Sequence, residues 1–229
     1  MTLKRATVLL LGAMWVLSAA AGQAEFAVRW DPSRSGPASA AEVLSALNLK
    51  APKSKKFEVQ YFSISKGEML PAGYVATGRE RASSGETEAT YKVRGPYPPP
   101  QELAGWKCPF KGNFASKAEV DVTRTGEVAA KRSYSVSCSV DKSTIPSALP
   151  PGYSATPYGC QSKMERHKAG GLKIERWTLP QGGVLFEVSM EGDDSVAALN
   201  KFDADVVKPL LKRNATPLNE SKTELGSRC

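Results

Sequence analysis

The sequence predicts a mainly β, α+β protein built around about eight antiparallel strands. Two observations lead to this prediction. Apolar and polar residues alternate with a period of two in eight segments after residue 56, and stretches rich in Gly, Pro and Ser separate these segments. Helical spacing is confined to two short regions, one near each end of the chain. These patterns favour an antiparallel barrel or sandwich flanked by a few helices.

The composition is typical of a folded globular chain. The 229 residues are 41% hydrophobic and 24% charged, which excludes wholesale disorder. Lys and Arg outnumber Asp and Glu by 31 to 23, for a formal net charge of +8. A positive excess of this size is compatible with a polyanionic partner, but the total does not say where the charges lie.

The N-terminus is typical of a secretory signal peptide. Residues 1–24 combine Lys4 and Arg5, an apolar stretch from Val8 to Leu17, and small residues up to Ala24. We therefore expect cleavage after Ala24 and a periplasmic or extracellular location; an uncleaved N-terminal anchor is the alternative. Cleavage would remove two basic and no acidic residues and lower the net charge from +8 to +6. No later segment reaches the ~18 apolar residues of a membrane-spanning helix, so we expect no transmembrane segment in the mature chain.

Four cysteines lie in the predicted mature part: Cys108, Cys138, Cys160 and Cys229. An even number in an oxidising compartment predicts two disulfides, and three pairings remain open. A cysteine metal site would need close pairs, and the spacings of 30, 22 and 69 provide none. Cys229 is expected to tie the C-terminal tail to the body of the domain.

Three regions follow from these patterns: a signal peptide over 1–24, an N-terminal helix and connector over 25–56, and a barrel domain over 57–229. The first helix is expected over 40–47. A second is expected from 193 or 194 to about Lys208, where Pro209 should end or kink it. The eight predicted strands are 57–64, 74–81, 88–94, 118–123, 131–140, 162–168, 172–178 and 184–191.

The polar faces of the predicted strands carry both cations and carboxylates. The basic residues are Arg79, Arg81, Lys92, Arg94, Lys131, Lys163, Arg166, Lys168, Lys173 and Arg176. The acidic ones are Glu58, Glu119, Asp121, Glu187 and Glu191. If these faces converge, they form a pocket suited to a polyphosphate held with a hard divalent cation. Alternation alone leaves open whether the faces line a lumen or face solvent.

Eight short motifs also follow one another in a recognisable order. They are FEVQYF (57–62), RER (79–81), TYKVRG (90–95), EVDVT (119–123), KRSYSV (131–136), SKMERHK (162–168), LKIERW (172–177) and LFEVSME (185–191). Their order and spacing resemble those of the CYTH, or triphosphate tunnel metalloenzyme, superfamily. The resemblance covers roughly residues 55–226.

The resemblance implies an eight-stranded antiparallel barrel whose charged lumen binds triphosphates with Mg²⁺ or Mn²⁺. It implies that phosphates are held by Arg79, Arg81, Lys92, Arg94, Lys131, Lys163 and Arg166. It also implies metal binding by Glu58 and Glu187, with support from Glu119 and Asp121. The first strand of the family reads E-x-E-x-K, which we align with Glu58, Gln60 and Phe62. Gln60 removes a carboxylate and Phe62 a cation, so the metal site departs from the family more than the anion site does.

The sequence therefore predicts an exported CYTH-like protein that binds a phosphorylated or polyanionic ligand in a basic lumen. If it is an enzyme, the resemblance implies a metal-dependent hydrolase of triphosphate or polyphosphate. The alternative is a non-catalytic periplasmic binding or interaction scaffold. His167 is the only histidine, which excludes a multi-histidine zinc site. Tyr61, Tyr91 and Tyr134 lie on the apolar faces, which argues against a nucleic-acid partner. The catalytic residues and the oligomeric state stay open.

Overall fold

The structure is a computed structural model that describes residues 22–50, 52–65 and 70–229. Nine strands close into a barrel in the spatial order β1-β5-β6-β4-β3-β2-β7-β8-β9. Their bounds are β1 Gln23–Trp30, β2 Ser54–Ser65, β3 Val75–Ser83, β4 Glu86–Pro96, β5 Ala115–Arg124, β6 Ala130–Asp141, β7 Ser154–Ala169, β8 Leu172–Thr178 and β9 Val184–Asp193. The predicted class, a mainly β barrel with flanking helices, is confirmed, with nine strands in place of eight.

The helices lie around the barrel and at one of its ends. They are α1 Ala40–Ala46, α2 Ile145–Ala148, α3 Val196–Phe202, α4 Lys208–Leu211 and α5 Lys222–Ser227. A 3₁₀ turn spans Gln101–Gly105, and a π turn over Asp203–Val207 joins α3 to α4. Among the described residues, no helix is long and apolar enough to cross a membrane.

Strand β1 is the described strand that the sequence pattern did not predict. It pairs antiparallel with β9 and parallel with β5, the one parallel pairing among the described strands. Its first two residues, Gln23 and Ala24, overlap the end of the predicted signal peptide, most of which lies outside the described residues. Ala24 is fully buried on the outer face of the barrel. Cleavage after Ala24 stays a prediction, and it would remove two residues of β1.

The barrel is inverted, because its outer face is apolar and its lumen is charged. Phe26, Val28 and Trp30 of β1 belong to an outer core that also contains Val43 of α1 and Phe202 of α3. Burying such aliphatic and aromatic side chains is worth about 1.5–3 kcal/mol each, which is why helices cover this part of the outer face. On most strands the alternation therefore places the charged residues inside.

A second outer core covers β3, β4 and β6. Tyr91 of β4 stacks on Trp106 at a centroid distance of 6.2 Å, and Leu103 and Phe110 from the same loop are buried beside it. The disulfide Cys108–Cys138 ties this loop to β6. The predicted formation of two disulfides is confirmed, and this pair with Cys160–Cys229 gives the pairing that the sequence left open.

The C-terminal helical region starts and ends differently from its prediction. Ser195, not Asp193 or Asp194, caps α3 by accepting a hydrogen bond from the amide of Ala198. The helical path then continues past Pro209 to Leu211. Proline lacks an amide hydrogen and crowds the preceding turn of a helix. Pro209 is the second residue of α4, and the turn directly before α4 is the π turn over Asp203–Val207.

Candidate functional site

The lumen opens at one end of the barrel, which we call the mouth. There β2, β4 and β5 begin and β3, β6 and β7 end, around a charged cavity of about 490 Å³. Of the described residues, eight basic ones line this cavity: Arg79, Arg81, Lys92, Arg94, Lys117, Arg166, Lys173 and Lys222. Five acidic residues line it: Glu25, Glu88, Glu119, Glu175 and Glu191. The lining therefore has an excess of three positive charges.

The opposite end is closed by the C-terminal segment. Helix α5 packs against β7 and β2, and the disulfide Cys160–Cys229 ties the chain beyond it to β7. Gly159 of β7 accommodates this contact, because a Cβ there would lie 1.8 Å from the carbonyl oxygen of Ser227. An inward apolar cluster that includes Val59, Tyr61 and Trp177 fills the space next to the helix. The site is consequently a one-ended basin.

Helix α5 also places Lys222 at the floor of this basin. The Lys222 Nζ donates to Glu175 Oε2 at 3.0 Å and to Glu187 Oε1 at 2.6 Å. Arg29 donates to the other oxygen of Glu187, and Arg166 donates to Glu175. Burial alone would lower the pKa of Lys222, but the negative charges of Glu175, Glu187 and Glu25 raise this pKa above its usual value. The floor is thus a closed network in which every one of these charges has a partner.

Arg79, Arg81 and Arg166, which we call the arginine cluster, lie between the floor and the mouth. Arg79 and Arg81 alternate on β3 and face inward opposite Tyr61 and Val59 of β2. Arg81 meets Glu88 at 3.0 Å, and Arg166 meets Glu175 at 2.7 Å. Burial, together with the positive charges of Arg79 and Arg166, lowers the pKa of Arg81. Three guanidinium groups therefore crowd one part of the lumen.

The cluster is short of acceptors. The Nε atoms of Arg79 and Arg81 are buried without a hydrogen-bond partner. No carboxylate of the described residues lies within ion-pair distance of Arg79, and Glu175 is shared between Arg166 and Lys222. A buried donor without a partner costs free energy, and a buried unpaired cation costs more. The arrangement is suited to accepting an anion.

Glu25, Glu119 and Asp121, which we call the carboxylate cluster, lie on the neighbouring strands β1 and β5. One oxygen atom from each lies within 4.8 Å of the others. Lys92 already donates to Glu119 at 3.2 Å and to Asp121 at 3.3 Å. Arg94 binds both oxygens of Asp121, at 3.1 and 2.9 Å. Cations of the protein therefore neutralise this cluster.

The titration of these groups follows from the same contacts. Burial alone would raise the pKa of Glu25, but the positive charges of Lys222, Lys92 and Lys173 lower this pKa to about 2. Lys92 and Arg94 overcome burial in the same way and lower the pKa of Asp121. Burial and the neighbouring Arg94 lower the pKa of Lys92, against the pull of Asp121 and Glu119. Glu25 and Asp121 are accordingly ionised near neutral pH.

Most of the sequence-predicted site residues come together. The structure places eight of them inside the barrel: Arg79, Arg81, Lys92, Arg94, Arg166, Glu119, Asp121 and Glu187. The predicted partners of Glu187 are different, however, because it binds Arg29 and Lys222 at the floor rather than joining the carboxylate cluster. The charged lumen that the resemblance implied is present.

Three predicted residues lie elsewhere. Lys163 is three positions from Arg166 on β7, and because strand side chains alternate it faces outward. Glu58 pairs with Lys163 in register. Both residues line a groove on the outside of the barrel, between β2, β7 and β8, which we call the outer groove. Lys131 is exposed at the end of β6 far from the mouth. Glu58 therefore points away from the lumen and from Glu119 and Asp121, its role as a metal ligand stays a prediction, and neither Lys163 nor Lys131 lines the lumen.

Other lumen residues were missed. Glu25 and Arg29 lie on β1, which precedes the predicted first strand that contains Glu58, Gln60 and Phe62. The alternation of β1 with Phe26 and its neighbours was the available signal. Lys222 had none, because it enters the lumen from a helix.

Comparisons with known proteins concern the fold. No family model matches the sequence, and no curated protein matches it. The chain is similar to the X-ray structure of a "putative adenylate cyclase" from Vibrio parahaemolyticus, with 12% identity and a TM-score of 0.50 over 89% of this chain and 98% of that chain. A Pyrococcus horikoshii protein, PH1819, gives 10% identity and a TM-score of 0.48 over 88% and 97%. The likeness to the Vibrio structure fits a CYTH-like barrel, and at this identity it concerns the fold alone.

Proposed function

We propose that the protein binds a small polyanion, most simply one made of phosphoryl groups, at the arginine cluster in the lumen. The observation that supports this most directly is the pair of buried, unpartnered Nε atoms of Arg79 and Arg81. Guanidinium groups bind phosphate oxygens through paired, charge-assisted hydrogen bonds. A phosphoryl group placed among these side chains would satisfy donors that no described residue satisfies.

The electrostatics of the cavity support the same ligand. Eight basic residues face five acidic ones across the lining. Burial and the repulsion from Arg79 and Arg166 together lower the pKa of Arg81, and an anion would offset the repulsion, so part of the binding free energy would come from its relief. A neutral ligand would leave the repulsion in place, and a cation would increase it.

Hydrolysis with a divalent metal is the second candidate function, and the carboxylate cluster favours it. The oxygen atoms of Glu25, Glu119 and Asp121 are of the type that Mg²⁺ and Mn²⁺ prefer. These residues would hold the ion, which would supply Lewis acidity toward a phosphoryl oxygen. The ammonium group of Lys92 already binds Glu119 and Asp121, so a metal would have to compete with it. We therefore propose that anion binding does not require a metal.

A titration experiment separates these functions. Isothermal titration with tripolyphosphate in EDTA should show binding, and Arg79→Met should weaken it while Arg176→Met leaves it unchanged. Arg176 is the matched control because it lines the outer groove. Phosphate release in Mg²⁺ or Mn²⁺ would add the hydrolase function. Binding without release would leave a binding protein, and no binding of any polyanion would refute the proposal in favour of an interaction scaffold.

We also propose that the protein is exported. The two disulfides support this location, because such bonds persist mainly in oxidising compartments. The test is fractionation of cells that express the full chain, with N-terminal sequencing of the mature protein. An intact N-terminus in the cytoplasmic fraction would contradict the proposal.

A further inference from the structure

A second basic cavity lies at the mouth of the barrel. It has a volume of about 600 Å³, and the start of β2, the hairpin between β3 and β4, and the ends of β6 and β7 surround it. It shares Arg81, Glu88 and Arg166 with the lumen cavity. The two cavities therefore meet at the arginine cluster, and a single ligand can extend from one into the other.

The mouth continues the positive charge of the lumen outward. Beyond the shared residues, Lys53, Lys55, Lys142 and Lys168 line this second cavity. Lys55 binds Glu86 at 3.1 Å. No carboxylate of the described residues forms an ion pair with the other three, Lys53, Lys142 and Lys168, which we call the rim lysines. The described lining of this second cavity holds six cations and three carboxylates, Glu86, Glu88 and Asp141, so a net positive charge extends from the buried arginines to exposed side chains.

The lining also limits the chemistry of the ligand. Phe57 is the one aromatic side chain among the described residues of either cavity lining. The cations of Lys55 and Arg166 lie over its ring, at 5.4 and 5.2 Å from the centroid. A nucleic-acid strand would need free aromatic faces on which its bases stack. A chain of bare oxyanions needs only the cations that are present.

We infer that the rim lysines select for ligand length, and that the preferred ligand is a linear chain of phosphoryl groups longer than a triphosphate. This inference rests on the proposed binding of a polyanion at the arginine cluster. One end of the chain occupies the lumen, where the floor stops it. The remainder passes between the shared arginines and leaves through the mouth along Lys53, Lys142 and Lys168.

The test compares ligand lengths in two charge-matched variants. The rim variant carries Lys53→Gln, Lys142→Gln and Lys168→Gln. The control variant carries Lys111→Gln, Lys208→Gln and Lys212→Gln, which removes three exposed lysines outside both cavity linings. Affinity is measured by titration calorimetry in EDTA for tripolyphosphate, tetrapolyphosphate and a long-chain linear polyphosphate. Both variants lose the same net charge, so a general electrostatic effect would appear equally in both.

We expect the unmodified protein to bind the long chain at least about tenfold more tightly than tripolyphosphate, the equivalent of one strong contact. The rim variant should lose that advantage and keep its affinity for tripolyphosphate, while the control variant keeps both. The salt dependence of long-chain binding should become less steep by about 2 in log–log slope, because three lysine contacts are lost.

The outcomes are distinguishable. Equal affinity for short and long chains, or equal losses in the rim and control variants, would overturn the length selection and leave the proposed function standing. Failure of every polyphosphate to bind would refute the proposed function itself. Binding of oligothymidylate as tightly as long-chain polyphosphate would show that the ligand class is wrong.

Discussion

The arginine cluster and the carboxylate cluster are two parts of one lumen with opposite states of neutralisation. In the carboxylate cluster, Lys92 and Arg94 each lie within hydrogen-bond distance of Asp121. In the arginine cluster, Arg79 has no acceptor among the described residues, and the Nε of Arg81 has none either. The same kind of side chain therefore stabilises the barrel in one part and is available to a ligand in the other.

The difference has a simple physical cause. Removing a charge from water is unfavourable, and a partner charge restores most of the lost free energy. The carboxylate cluster meets this requirement with side chains from β1, β4 and β5, so its charges join β5 to β4, which lies beyond β6 in the barrel. In the arginine cluster, a bound anion would have to supply the missing partner charge. Substitutions in the two clusters should consequently have opposite effects.

The largest effect is expected at Asp121. Asp121→Asn removes the charge that Lys92 and Arg94 share and leaves two partly buried cations without full compensation. We expect a loss of about 3–5 kcal/mol in the free energy of unfolding, measured by urea denaturation. Asp141→Asn is the control, because Asp141 is exposed at the end of β6. If both substitutions cost the same small amount, the carboxylate cluster does not stabilise the barrel.

Protonation of Glu25 at acid pH should weaken the carboxylate cluster and lower the free energy of unfolding. The pKa of Glu25 is about 2 in the folded protein against 4.5 for the free side chain. A lowered pKa means that this stabilisation is complete above about pH 4.5 and is lost as the pH falls toward 2. The difference corresponds to about 3 kcal/mol, and Glu25→Gln should remove that part of the pH dependence. Urea titrations at several pH values would check this, and an unchanged acid profile in Glu25→Gln would contradict it.

Arg79 should show the reverse behaviour. Arg79→Met removes a cation without a partner, so the free energy of unfolding should stay the same or rise by about 1 kcal/mol. Affinity for tripolyphosphate should fall roughly 10- to 100-fold, the value of one hydrogen bond between charged groups. Calorimetry and thermal unfolding on one sample separate the two effects. A strong loss of stability would mean that Arg79 is structural.

The smallest effect is expected on the outer groove. The double variant Glu58→Gln with Lys163→Gln leaves the net charge unchanged and alters a pair that faces away from the lumen. Stability should change by less than about 0.5 kcal/mol, as is usual for exposed positions. Tripolyphosphate affinity should not change. A measurable loss of affinity would return these residues to the site and remove the distinction between the two faces of β2 and β7.

The sequence predicted the charged strands well because alternation is a local property. Eight of the nine strands were predicted, and Arg79, Arg81, Lys92 and Arg94 share the polar faces of β3 and β4 as the alternation predicted. The prediction failed where the alternation was interrupted. In β2 a register irregularity falls between Val59 and Tyr61, and apolar rather than polar residues of this strand face the lumen.

The floor of the site could not have been predicted from alternation. Lys222 lies on a six-residue helix, 47 positions from Glu175 along the chain. Its role depends on where the C-terminal segment packs, which the disulfide Cys160–Cys229 and the close contact at Gly159 help to fix. Such contacts between distant segments leave no periodic signal in the sequence.

The sequence by itself determined the strands, the two chemically different faces of each, the formation of disulfides and most of the basic residues of the site. Only the tertiary structure decided which face points inward. Either face of a strand can be buried, and the choice depends on what covers it. Here helices and a disulfide-tied loop cover the apolar outer faces of most strands, and α5 covers the apolar inner face of β2. That arrangement leaves the arginine cluster inside and open to the mouth, with Arg79 lacking an ion-pair partner among the described residues.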